Sequence, residues 1–133
     1  MKATVTARMA AAAAAMVVAV TASVMAGSGT AYAGSGWIYT SDADPGGKTR
    51  FLGRTPEHFS VCDIEEDGWA AVAWLWVDKP GPGWVGKRLR AGGNGNCEGY
   101  TRNITEGRRV TLHVCLSNGE EEKFCSETWR GRA

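Results

Sequence analysis

After residue 33 the sequence has no methionine, no apolar run long enough to cross a bilayer, and no surplus of either charge. Lys2 and Arg8 are the only charged residues ahead of Gly34, so 13 of the 15 basic residues remain against 14 acidic ones, a net of −1 with His neutral. That balance argues against nucleic acid, whose binders carry a basic face, and against an anionic membrane surface. Only His58 and His113 could act as a general base near neutral pH, and neither sits in a known catalytic pattern. No G-x-S-x-G elbow is present. "PGGKT" fails as a phosphate loop because Asp42 stands where the motif needs its first Gly. Zinc is excluded by the absence of a C-x-x-C pair and of a His at ligand spacing from a Cys. Calcium is excluded because the acidic residues near Asp42 and Asp63 form no D-x-D-x-D-G loop. The expectation is a chain with no enzymatic activity, no metal and no cofactor.

The amino-terminal part, residues 1–33, reads as a secretion signal. Lys2 and Arg8 form a basic start, Met9 to Met25 is almost unbroken Ala, Val and Met, and "GSGTAYA" ends with Ala31 and Ala33 at the small-residue positions before a cleavage site. Cleavage there leaves residues 34–133 as a single exported, extracellular domain without a membrane span. A domain of about 100 residues is only marginally stabilised by its core. Cys62, Cys97, Cys115 and Cys125, an even count in an exported chain, therefore read as a disulfide framework.

Residues 34–56 form an extended and loop-rich segment, with "WIYT" and "TRFLG" as short extended pieces around the turn "SDADPGGKT". From residue 57 to 133 the pattern is that of a β-sandwich. "HFSVCDI" alternates, and "EEDG" ends on a Gly suited to positive φ, so "WAAVAWLWV" is expected to return beside it as a hairpin. "DKPGPG" turns the chain into the polar strand "WVGKRLR", and "AGGNGN" loops into Cys97 and a strand around "YTRNI". "RVTLHVCL" places Val110, Leu112, Val114 and Leu116 on one face and Thr111, His113 and Cys115 on the other. "SNGEEE" then turns the chain into "KFCSETW". Short strands separated by Gly- and Pro-rich turns, with no helical periodicity, give the fold class: all-β, a small immunoglobulin-like or related two-sheet sandwich. Of the three pairings four cysteines allow, Cys115–Cys125 is the least demanding. A hairpin centred on Glu120 sets them opposite, leaving Cys62–Cys97.

The stretch "WAAVAWLWV" is apolar on both faces: Trp69, Ala71, Ala73, Leu75 and Val77 on one, Ala70, Val72, Trp74 and Trp76 on the other. A sandwich buries only one face of each strand. Three covers are open for the second. Residues 34–56, with Trp37 and Tyr39, could fold across it; another protein could dock on it, since aromatics concentrate at interfaces; or the indoles could stack on sugar rings. Trp74 and Trp76 are the leading candidates for partner contact. Trp37 and Tyr39 join them, because the extended "GWIYTS" could add a strand to a partner's sheet edge.

"DADPGGK", then "VCDIEEDGWAA", a lone Cys, "EGRRVTLHVCL" and "CSETW" together resemble a set of small exported proteins of actinobacteria. The resemblance spans nearly all of residues 34–133. It implies an extracellular β-sandwich with two disulfides and supplies no catalytic residues. Small proteins of this general kind also serve as adaptors in secreted assemblies, such as the umbrella-shaped toxin particles in which one links a lectin-like subunit to a repeat-bearing stalk. The functional expectation is a secreted, non-enzymatic protein-interaction module. The alternatives are a carbohydrate or cell-wall binding module, and a small protease inhibitor presenting "DKPGPGW" or "AGGNGNC".

Overall fold

A computed structural model describes residues 33–133. The expected signal, apart from Ala33, lies outside the described residues.

The described chain is all-β, with ten strands: β1 (Ala33–Gly34), β2 (Ile38–Tyr39), β3 (Gly47–Gly53), β4 (Glu57–Asp63), β5 (Ala70–Asp78), β6 (Trp84–Ala91), β7 (Cys97–Arg102), β8 (Arg109–Ser117), β9 (Glu122–Lys123) and β10 (Trp129–Arg132). Two antiparallel sheets pack face to face as a sandwich. The first runs β1-β3-β4-β7 with β2 also on β3, and the second runs β10-β8-β5-β6 with β9 also on β8.

The core follows from the alternation. Phe51, Phe59 and Val61 of the first sheet meet Ala71, Ala73, Leu75, Val110, Leu112 and Val114 of the second, all buried. Between the sheets the small residues allow close approach, since a Cβ on Gly47 would stand 2.8 Å from that of Ala71. Trp129 closes one side of this core, with its ring centroid 6.0 Å from that of Phe51.

Both disulfides form, Cys62–Cys97 and Cys115–Cys125. Each lies within one sheet rather than between the two. Cys62 and Cys97 are direct partners across β4 and β7.

The expected hairpin of "HFSVCDI" with "WAAVAWLWV" is not what forms. β4 pairs with β3 and β7, whereas β5 pairs with β6 and β8 in the other sheet. Gly68 does take the positive φ, 77°, but its turn carries the chain from one sheet to the other. Both edges of β4 are already occupied, one of them locked by the Cys62–Cys97 bond.

The cystine at Cys115 also reaches its register by a different route. β8 and β9 pair with Leu116 opposite Lys123, which would set Phe124 opposite Cys115. Phe124 instead takes φ 51°, and beyond it the Ser126 N–H donates to Val114 O (2.8 Å). One residue is thereby inserted as a bulge, and Cys125 comes level with Cys115.

Candidate functional site

β5 is an interior strand of its sheet, between β8 and β6, and its odd-numbered residues Ala71 to Val77 face the core. Its even-numbered residues face outward. Ala70 and Val72 are buried even there, Val72 lying beside Cys115 of the second cystine. The other two even positions carry the indoles: Trp74 is half-buried and Trp76 is 37 % exposed.

The two rings lie 6° from parallel with centroids 5.8 Å apart. Trp76 extends over β6, where its direct partner is Gly86. A Cβ there would stand 2.5 Å from Cζ3 of the indole, so only glycine leaves room for the ring. Trp74 is held from the other side. Its Nε1–H donates to Glu122 (3.4 Å), and Glu122 also pairs with Arg88 (3.3 Å), whose guanidinium lies 5.5 Å from the Trp74 centroid. His113 is the direct partner of Trp74 on β8. Burial holds its imidazole below its ordinary pKa against the opposing pull of Glu122.

A third indole, Trp84 on β6, shares this face and is exposed. The Arg109 guanidinium lies 5.3 Å from its centroid and is fixed there by Asp78, which accepts from Arg109 Nε (2.9 Å) and from the Arg109 N–H (2.8 Å). That contact lowers the Asp78 pKa, the side-chain hydrogen bond from Arg109 being the largest cause. Beside Trp84 a shallow groove runs past Thr111, Arg130 and Arg132. Arginine therefore outnumbers acid across this surface: Arg88, Arg109, Arg130 and Arg132 stand against Asp78 and Glu122.

The four aromatic residues singled out in the sequence do not form one patch. Trp37 and Tyr39 belong to the edge of the opposite sheet, where Ile38 and Tyr39 pair with Thr49 and Lys48. The amino-terminal segment thus completes the first sheet and leaves the Trp74/Trp76 face uncovered. It is tied to the second sheet by a backbone bond from the Ser41 N–H to Phe124 O (2.9 Å). "GWIYTS" is accordingly paired within its own chain along one edge.

The sequence does not single out Trp84, because "WVGKRLR" reads as polar. The signal is in the parity: in a β5–β6 hairpin, Trp84 falls on the same face as Trp76.

The carboxylates at one end of the sandwich, Asp42, Asp44, Glu65 and Asp67, gather near Gly46. Burial first, then the charges of Asp44, Asp67 and Asp42, raise the Glu65 pKa. Among the described residues no group of three His, Cys, Asp or Glu side chains could hold a metal ion. No helix among them is long and apolar enough to cross a membrane. No protein-family model, curated protein or solved structure matches the chain.

Proposed function

We propose that this chain is an exported, non-enzymatic interaction module that binds another extracellular protein through the outer face of the β5–β6–β8 sheet. One observation carries the reading: Trp76 lies more than one-third exposed on an interior strand, parallel to Trp74, with a glycine beneath it. Large exposed indoles are costly to leave in water, and here neighbouring residues hold them in fixed positions. Trp and Arg are also the residues most enriched at binding hot spots. The arginine excess on this face favours an acidic patch on the partner. Two disulfides in a small domain fit an oxidising, extracellular setting.

A sugar platform would use open, accessible ring faces. Arg88 crosses Trp74 and Arg109 lies over Trp84, which favours a protein partner over a glycan.

The test is a pull-down with the oxidised protein, tagged at its carboxyl terminus, from the culture supernatant and the washed walls of the producing cells. A stoichiometric protein partner, captured by wild type and lost with Trp76→Ala, supports the reading. Capture that is unchanged in both Trp74→Ala and Trp76→Ala overturns it. Retention on walls alone, released by soluble sugar, moves the function to carbohydrate binding. A captured protease that loses activity stoichiometrically moves it to inhibition.

A further inference from the structure

The outer face of the opposite sheet carries a second concave surface, independent of the tryptophan face. Its floor is Ser60 with Gly99 beside it and the Cys62–Cys97 bond, and its walls are Trp37, Lys48, Arg50 and His58. Gly99 is required by the wall: a Cβ there would stand 2.9 Å from Cε1 of His58. The His58 ring is oriented by a 3.1 Å hydrogen bond between Nδ1 and Thr101 Oγ1, which leaves Nε2 available.

Two buried polar atoms on this surface have no hydrogen-bond partner among the described residues: Arg50 Nε and Ser60 Oγ. Ser60 is only 7 % exposed. The two residues are direct cross-strand partners on β3 and β4, so their Cβ atoms lie about 5 Å apart on the same face. Arg50 Nε–H can only donate, and a serine hydroxyl can donate. Buried polar groups left unpaired in a native structure call for an explanation, and two neighbouring donors in one groove share the same one: an acceptor from outside the chain.

Charge points the same way. Neither Lys48 nor Arg50 pairs with a carboxylate among the described residues. Both stand 4.4 Å from the Trp37 centroid, which positions them without neutralising them. Asp63, at the far end of the groove, directs a carboxylate oxygen to the Glu65 N–H (3.2 Å). With two cations already against its ring, Trp37 is poorly placed to stack on a sugar.

We infer that this groove is an oxyanion-binding site, in which Arg50 Nε–H, Ser60 Oγ–H and the Lys48 ammonium receive a sulfate, phosphate or carboxylate group carried on a larger ligand. The site lies on the face opposite the tryptophans, so it would give the module two separate points of attachment.

The experiment is an NMR titration of the oxidised protein with sodium sulfate, sodium phosphate and sodium acetate in turn, at ionic strength held constant with chloride. Expected is a saturable shift of the Arg50 Nε–H signal and of the Ser60 and Gly99 amides, with half-saturation on the order of millimolar. A stronger response to sulfate and phosphate than to acetate identifies a tetrahedral group, and the reverse identifies a carboxylate. Arg50→Lys keeps the charge but removes the Nε donor, and Ser60→Ala removes the hydroxyl. Each should weaken binding by about tenfold or more, the loss of one hydrogen bond to a charged group. Shifts that grow linearly without saturating, or that persist unchanged in both variants, overturn the assignment. So does a response confined to Arg130 and Arg132, or an Arg50 Nε–H that contacts only water at every anion concentration. Because the variants leave β5 and β6 intact, failure here is separate from failure of the tryptophan-face reading.

Discussion

Trp76 lies across Gly86, its direct partner on the neighbouring strand, so closely that a methyl group at position 86 would overlap the indole. Gly86→Ala should therefore move the ring without unfolding the sandwich. The backbone there needs no positive φ, and the obstructing atom is the end of an exposed side chain. Stability should change by less than about 1 kcal/mol, since Gly→Ala also reduces the freedom of the unfolded chain. In the wild type the Gly86 α-protons should be shifted upfield by the indole ring current, and in the variant the remaining α-proton should lose that shift. A wild-type Gly86 without the shift would show that the ring does not lie there.

Much of this architecture is legible in the sequence because alternation is a local property. Residues 109–116 alternate, and Val110, Leu112 and Val114 are indeed buried while Thr111 and His113 face outward. The turn at Gly68 is also legible, since positive φ is a local demand. Which sheet the next strand joins is not: a turn between hairpin strands and a turn between layers use the same residues. The competition for the edges of β4 decides it: β3, the strand just before it, takes one edge, and β7, distant in sequence, takes the other. Phe124 shows the same limit, because nothing in "KFCSE" marks a bulky residue for the left-handed region. Nothing in the sequence around Gly86 or Gly99 sets them apart from other glycines. Their role beneath Trp76 and His58 depends on cross-strand register, which periodicity alone leaves open.

The two disulfides should not contribute equally. Cys62–Cys97 closes a separation of 35 residues and Cys115–Cys125 one of 10. On the chain-entropy estimate, their removal costs roughly 4 and roughly 3 kcal/mol respectively. The paired substitutions Cys62→Ala with Cys97→Ala, and Cys115→Ala with Cys125→Ala, can be compared by urea denaturation. The first pair should be the less stable. The reverse order would show that the bulge at Phe124 depends on its cystine more than loop closure alone allows.

Glu57 is an acid set almost wholly inside the sandwich, 1 % exposed at the start of β4. Its Oε2 accepts the Ile104 N–H (2.8 Å), while Oε1 has no partner among the described residues. Glu57→Ala leaves that backbone N–H unpaired and opens a cavity, so it should cost about 3 kcal/mol. Glu57→Gln keeps an acceptor at the same reach and should cost clearly less. The comparison can be made by urea denaturation, with the Ile104 amide exchange rate as a local check. Equal losses in the two variants would mean that the hydrogen bond is not what holds the residue there.

Asp78 and Glu65 should respond to acid in opposite directions. The hydrogen bond from Arg109 lowers the Asp78 pKa in the folded protein, so the unfolded chain takes up a proton there more readily. The stability Asp78 contributes is complete above the ordinary carboxylate value and is lost as pH falls through the lowered one. For Glu65, burial and the neighbouring carboxylates raise the folded value. Its ionisation opposes folding, so stability is fully present below the ordinary carboxylate value and declines as pH rises through the raised one. Asp78→Asn should accordingly be less stable than wild type at about pH 7 and converge on it in acid. Glu65→Gln should be more stable than wild type at about pH 7 and likewise converge in acid, where wild-type Glu65 is protonated. Thermal denaturation across this range at low ionic strength, where such surface terms are least screened, measures both. Two variants displaced from wild type in the same direction near neutrality would contradict the assigned surroundings of one carboxylate or the other.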